Sequence, residues 1–362
     1  MQIPTYFAKV QDFRVQGRCQ HQLGDILGLI LCGTLADCDD FSEIEDYGND
    51  TMSFLKEELG FEFSNGIPSE DSLDRVLRYL ASNELEASFR ACLQAISLAG
   101  EHLRIDGKEL RGTIPSGKKH ALVQMVNVWV DELGLSFGQY QVDAKSNEII
   151  AIPKLLDAID CQGSVITIDA IGAQKAIVEK IRGKHADYVI ALKANQGGLN
   201  EQVVDFMEKQ QRELPVYKSI EKGHGRGEER NVYVASQIAL VDEAEQWKNL
   251  CSLAMVERVR HTKKKIQRKI QYYISSLEPN AEQMAHYVRE HWAIENKLHW
   301  QLDFTSGEDD SRIRKNNGPA NLHSVRKWAL HLLKKNPQKI SIKRKRKKAA
   351  RSGQYLKQIL TG

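Results

Sequence analysis

Residues 291–312 read HWAIENKLHWQLDFTSGEDDSR, a Glu between two His-Trp pairs followed by a run of acids in the more basic half of the chain. Carboxylates so placed can hold a divalent cation, pair with Arg or Lys, or cap a helix. At about 100° per residue, Ile294, Leu298 and Leu302 fall on one stripe of a helix, with His291, Glu295 and His299 along its edge. Glu295 is therefore expected to face the protein, where a carboxylate needs a metal or an Arg as partner. The two His are eight apart and HExxH is absent, which argues against zinc-protease chemistry. Glu308, Asp309 and Asp310 follow a Thr-Ser-Gly break and read as a solvated turn facing Arg312 and Arg314.

Two earlier acids stand on strands, one of them at a strand's end. Asp169 closes SVITIDA, whose Val165, Ile166 and Ile168 suit a strand covered on both faces. Ligands of open α/β sheets gather outside the carboxyl ends of parallel strands, so an acid there can touch a metal. It is equally suited to cap the helix that begins near Ala173. Asp106 in HLRIDGKELRGT precedes Gly107 and Lys108, with Arg111, Lys118 and Lys119 beyond. That mixture fits a metal ligand beside phosphate contacts, and an Asp-Gly turn fits it too.

These acids must be positioned by elements of different kinds. HQLGDILGLILCGTLADC, FSEIEDYGNDTMSFLKEEL and SEDSLDRVLRYLASNELEASFRACLQAISLAG show helical spacing, which predicts a helical domain over 1–100. Glu70 and Asp71 make the first turn after Ser69 acidic, unsuited to reading DNA as a recognition helix. From 101 to 199 the pattern changes. HLRIDGKEL, ALVQMVNVWVDE and GLSFGQYQVD read as three strands, with a hairpin at Glu132-Leu133-Gly134. NEIIAIPKLLDAID and AQKAIVEKIRGK read as helices; SVITIDA and ADYVIALK read as buried strands. A meander followed by strand–helix–strand alternation implies a mixed five-stranded α/β sheet. Residues 200–279 are β-rich (RNVYVASQIAL, LCSLAMVERVRHT, KIQYYISSLE) and read as an insertion, after which helices return over 280–333.

The net charge of +3 conceals a split. Residues 334–362 carry eleven Lys or Arg and no acid, leaving the remainder at −8. This basic tail is expected to be mobile until it meets a polyanion. Six Cys without metal or disulfide spacing, no signal-peptide core and no membrane-length apolar run point to a soluble cytoplasmic protein. There are no internal repeats.

In order along the chain, LRIDGKELRG, YQVDAKSNEIIAIPKLL, VITIDAIGAQ, YVIALKANQG, EKGHGRGEER, YYISSL and HWAIENKLHWQLDFTSGEDDSRIRK resemble the H-repeat-associated transposases of bacterial insertion sequences, a branch of the DDE transposases. The resemblance spans about residues 10–335. It implies an RNase H-like core with Asp106, Asp169 and Glu295 as catalytic, metal-holding acids, and an insertion between the second Asp and the Glu. It further implies two Mg²⁺ (Mn²⁺ can substitute) about 3.5–4 Å apart, activating a water or a DNA 3′-hydroxyl and stabilising the leaving oxygen. The implied partner is double-stranded DNA, both element ends and target, held by a homodimer or larger synaptic complex at the bacterial nucleoid. Broader relatives carry Tyr, Arg and Lys around the glutamate. Val288, His291 and Leu302 occupy those positions here, so Arg289, His291 and His299 are the candidates to replace them. Further candidates for phosphate contact are Lys108, Arg111, Lys193, His224 and Arg226, with Lys343, Arg344, Lys345 and Arg346 of the tail. The competing expectations are a non-catalytic DNA-binding relic and a stand-alone metal-dependent nuclease.

Overall fold

The computed structural model describes residues 2–92, 98–113, 123–130, 134–142, 148–223, 226–261 and 265–361. Four helices open the chain: α1 (Leu23–Leu35), α2 (Phe41–Leu59), α3 (Glu70–Tyr79) and α4 (Ser82–Cys92). Apolar on nearly every side, α1 is buried along almost its whole length and forms the axis of this unit. The amphipathic α2 starts where the Asp40 carboxylate accepts from the Glu43 N–H at 2.9 Å and stops at Gly60, whose φ of 77° suits the left-handed cap.

Strands β1 (His102–Leu110), β2 (Val123–Val130) and β3 (Leu135–Val142) form the expected antiparallel meander. Helix α5 (Glu148–Asp157) leads to β4 (Val165–Ile168), and α6 (Lys175–Gly183) leads to β5 (Asp187–Leu192); β1, β4 and β5 pair in parallel. The next segment holds α7 (Gly197–Gln210), β6 (Val216–Gly223), β7 (Arg226–Ala235), β8 (Ser252–His261) and β9 (Ile266–Ser275). Its strands do not form a sheet of their own. β9 pairs antiparallel with β5, from Val189↔Ser275 to Leu192↔Tyr272, so one mixed sheet runs β3-β2-β1-β4-β5-β9-β8-β7-β6. The expectation of five strands is thus extended to nine. β5 would otherwise present unpaired backbone at an edge, which β9 covers.

Side chains alternate across β1. Leu103 and Ile105 pack among residues of α5, α6 and α7, whereas Arg104, Asp106 and Lys108 meet the helices of the opposite face. Those are α8 (Ala281–His291), a π-helical turn (Glu295–His299), α9 (Trp300–Ser306) and α10 (Gly318–Lys335). Ile294, Leu298 and Leu302 lock the turn and α9 onto Trp129 and Leu330, confirming the predicted apolar stripe.

The tail differs from its expectation. Most of it folds as α11 (Ile342–Arg351) and α12 (Gly353–Thr361) against the N-terminal helices. Ala349, Tyr355, Leu356, Ile359 and Leu360 share one core with α1, α2 and the α10 residues Leu322, Val325 and Trp328. Charge had masked this apolar stripe. Among the described residues no helix is long and apolar enough to cross a membrane.

Candidate active site

The register of β1 on β4 sets the site. Ile105 lies opposite Ile168, so Asp106 and Asp169 follow at adjoining positions where β4 ends. Asp169 does not cap the helix that follows, which Gln174 precedes; its carboxylate instead caps a single 3₁₀ turn (Ala170–Gly172), accepting from the Ile171 N–H at 3.0 Å, and stays partly exposed. Asp106 accepts from its neighbour's N–H at Gly107, 2.9 Å away, and from His299 Nε2 at 3.2 Å.

The π turn brings the third acid. Asp106, Glu295 and His299 each offer a ligand atom, all within 4.8 Å of one another. A π turn adds a residue to the helical repeat and re-aims the side chains it carries. Glu295 is exposed rather than turned into the protein, and His299 is buried beside Asp106. This corrects the inward orientation expected of Glu295, which assumed an unbroken α-helical phase.

Neither histidine is placed to hold DNA. His299 is 3 % exposed and binds the Asp106 carboxylate, so it orients that acid. His291 Nδ1 lies 3.0 Å from the Thr167 hydroxyl, which also meets His102 Nε2 at 3.0 Å. Burial lowers the His291 pKa despite the nearby charges of Asp106 and Asp169. Burial, then Arg104, His291 and His286, push His102 down to about 2. Both rings are therefore neutral near pH 7. Arg104, fully buried, donates to Glu290 at 3.1 Å and ties α8 to β1.

Lys108 is also interior. Its Nζ donates to Asp303 at 2.6 Å and lies 3.7 Å from Glu308. Glu308 is buried, not part of a solvated turn: Gly307 (φ 56°) ends α9 and turns the chain inward, where Glu308 accepts from His323 Nδ1 at 2.8 Å. The other His323 nitrogen lies 3.2 Å from the Asn127 side-chain amide on β2. Burial alone would raise the Glu308 pKa, but His323, Arg326 and Lys108 outweigh it and hold the carboxyl at about 2. Because this folded value lies below the ordinary carboxylate value of 4.5, the contribution is full above pH 4.5 and is lost as pH falls toward 2. Glu308→Gln is expected to cost about 3–5 kcal/mol at pH 7, the range for breaking a buried ion pair. Urea unfolding should show the gap between variant and wild type narrowing from pH 5 to 3; a pH-independent gap would contradict the assignment.

The remaining expected phosphate contacts divide by position. Arg111 is 74 % exposed with Asp309 3.8 Å away, and Lys193 is exposed just beyond the carboxyl end of β5. Arg289, exposed, pairs with Glu221 on β6. His224 lies outside the described residues, and Arg226 opens β7 opposite Gly223. In α11, Lys343 and Arg344 face solvent, but Lys345 and Arg346 are buried. Lys345 Nζ donates to the carbonyls of Leu333 and Asn336 at 2.7 and 2.6 Å, capping α10. Arg346 reaches the carbonyls of Thr34 and Cys38 at 3.1 and 3.2 Å, and Asp37 and Asp39 at 3.2 and 3.1 Å. Their role is internal, because every one of these partners belongs to the folded chain.

Two features escaped the sequence reading. Trp300 and Phe304 stack face to face at 4.8 Å while 46 % and 62 % exposed, with Lys343 Nζ 5.5 Å from the Phe304 ring. Their i, i+4 spacing on a helix was the available signal. Glu148, the first residue of α5, packs against Gly107; a Cβ there would run into its carboxylate. Burial, then Asp169 and Asp106, push the Glu148 carboxyl up to about 7. Nothing in NEIIAIPKLL separates this Glu from an ordinary helix-opening acid.

An acid within one strand, a second at the end of its neighbour and a third on a helical turn from far along the chain match a known class. Residues 98–329 match the family described as "Transposase DDE domain", and residues 5–93 match its companion, "DDE_Tnp_1-associated". The chain belongs to the DDE transposase family. Within that family it groups with the H-repeat-associated members, as its motifs implied. It is 38% identical to "Putative transposase YncI" of Escherichia coli O157:H7, covering 98% of this chain and 93% of that protein. It is 34% identical to "H repeat-associated putative transposase YhhI" of Escherichia coli strain K12, over 98% of this chain and 96% of the relative. Identity to "Putative protein YbfL" of the same strain is also 34%, with the same coverage.

Proposed function

We propose that this chain is a DNA transposase that cleaves phosphodiester bonds at the ends of an insertion sequence and transfers the freed strands to target DNA. The carrying observation is the meeting of Glu295 with Asp106, beside Asp169 at the end of the neighbouring strand. An RNase H-like core is the matching fold reading: an antiparallel meander joined to parallel strands in the order β3-β2-β1-β4-β5. The oxygen-rich donor set suits Mg²⁺ or Mn²⁺. His299 supports the fit: its imidazole is buried against Asp106, with Nδ1 lacking a hydrogen-bond partner among the described residues.

When bound, two such ions supply an activated oxygen nucleophile and stabilise the departing oxygen. The chain's own part is positioning and charge. Asp106, Asp169 and Glu295 hold the cations, and His299 fixes the rotamer of Asp106. Glu295, exposed, stands where a DNA backbone can approach. Lys193, Arg111, Lys343 and Arg344 are the accessible cations for phosphate, and the Trp300–Phe304 stack offers a surface on which a base can lie. The ends are held in a homodimer or larger synaptic complex in the bacterial cytoplasm.

The test uses purified protein, Mg²⁺ or Mn²⁺, and end-labelled DNA from the flanks of the gene. Metal-dependent cutting at the element boundary, with strand transfer, is expected. Binding without cutting would make the chain a DNA-binding relic. Cutting without strand transfer would make it a stand-alone nuclease.

A further inference from the structure

We infer that Glu148 is a fourth carboxylate of the metal-holding set, added to Asp106, Asp169 and Glu295 from the α5 side of the sheet; this rests on the metal-dependent reading above. Alternation along β1 points Asp106 toward His299 and directs position 107 toward α5. Glu148 comes close to the strand only because residue 107 has no side chain. A Cβ at Gly107 would meet the Glu148 carboxyl carbon and both of its oxygens. The strand therefore leaves a cradle one residue past a metal-holding Asp, and an acid fills it.

Nothing within the described protein compensates that acid. Among the described residues, its one side-chain hydrogen bond comes from Gln124 Nε2 at 3.5 Å, and no Lys or Arg forms an ion pair with it. Compare Glu308, a buried acid of this region, which has His323, Lys108 and Arg326, whereas the half-buried Glu148 has none among the described residues. The charges that Glu148 does sense are Asp169, Asp106 and Glu109, all of its own sign. Like charges gathered without a counter-ion repel one another, and a divalent cation placed among them turns that repulsion into attraction. A purely structural Glu148 would need only its shape and one hydrogen bond, both of which Gln supplies.

Glu148→Gln distinguishes the two. Mn²⁺ binding to the full-length chain is followed by the electron paramagnetic resonance of free Mn²⁺, with circular dichroism to verify folding. Gly107→Ala, which displaces the carboxylate without altering it, and Glu295→Gln are measured in parallel. Glu148→Gln and Gly107→Ala are each expected to weaken Mn²⁺ binding about 10-fold or more, the scale seen when groups around a metal are removed. Wild-type affinity in folded Glu148→Gln, with Glu295→Gln impaired, would overturn the role of Glu148 alone. Wild-type affinity in Glu295→Gln as well would overturn the metal-site reading itself.

Discussion

Glu295→Gln is expected to lower DNA strand cleavage by about 10²–10³-fold or more while leaving DNA binding and thermal unfolding unchanged. The residue is exposed on a π turn whose packing is supplied by Ile294 and Leu298, so the substitution removes a charge and nothing from the core. Surface changes of that kind shift stability by no more than about 0.5 kcal/mol. The side chains are isosteric, so loss of activity would report the carboxylate and not its volume. Asp106→Asn and Asp169→Asn should behave alike in cleavage. Cleavage gels beside filter binding on the same labelled ends make the comparison. Full activity in Glu295→Gln would sink the assignment, and neither Glu290 nor Glu308 could take its place. Glu290 is engaged by Arg104 at 3.1 Å and Lys297 at 3.7 Å, and Glu308 is buried against His323.

Deleting everything after Leu333 is expected to unfold the N-terminal unit, not merely to weaken DNA binding. The deletion strips Ala349, Tyr355, Leu356, Ile359 and Leu360 from the core shared with α1 and α2, and it uncaps α10. Arg346→Ala alone should cost about 3–5 kcal/mol, because it leaves Asp37, Asp39 and the Thr34 and Cys38 carbonyls without their cation. Lys343→Ala and Arg344→Ala provide the contrast. Both side chains are exposed, so melting should stay within about 0.5 kcal/mol of wild type. For each of the two that grips a phosphate, its removal should flatten the slope of log affinity against log salt by about 1. A deleted chain that melts cooperatively at the wild-type temperature would show that the last helices are an appendage after all.

The difference between those two kinds of basic residue marks where sequence stopped being informative. The strand that leads to Asp169 was legible because a β-branched run closed by an acid has few other readings, whereas Asp-Gly at 106–107 fitted a turn as well as the strand that holds it. The apolar stripe Ile294–Leu298–Leu302 was legible for the same reason in helical period. What failed was phase and partnership. A π turn shifts side-chain direction without changing composition, so Glu295 was placed inward. Lys108 looked like a phosphate ligand beside Asp106, yet its partners Asp303 and Glu308 come from a remote part of the chain. In the tail, a dense run of cations concealed that Lys345 and Arg346 occupy inward positions next to Ala349. Glu148 was invisible for a related reason: its setting depends on the missing side chain of Gly107, on a strand outside its own segment.

The shared core of the chain's beginning and end also bears on synthesis. When α1–α4 leave the ribosome, the surfaces that Leu322, Val325, Trp328, Leu356 and Ile359 will cover are still bare. At about 5–20 residues per second, that opening persists on the order of tens of seconds, during which a chaperone or a protease can find it. The N-terminal unit closes only after the sheet between has been made. A message cut short inside α10 thus yields a nascent chain with no finished module at its front, however complete its catalytic strands.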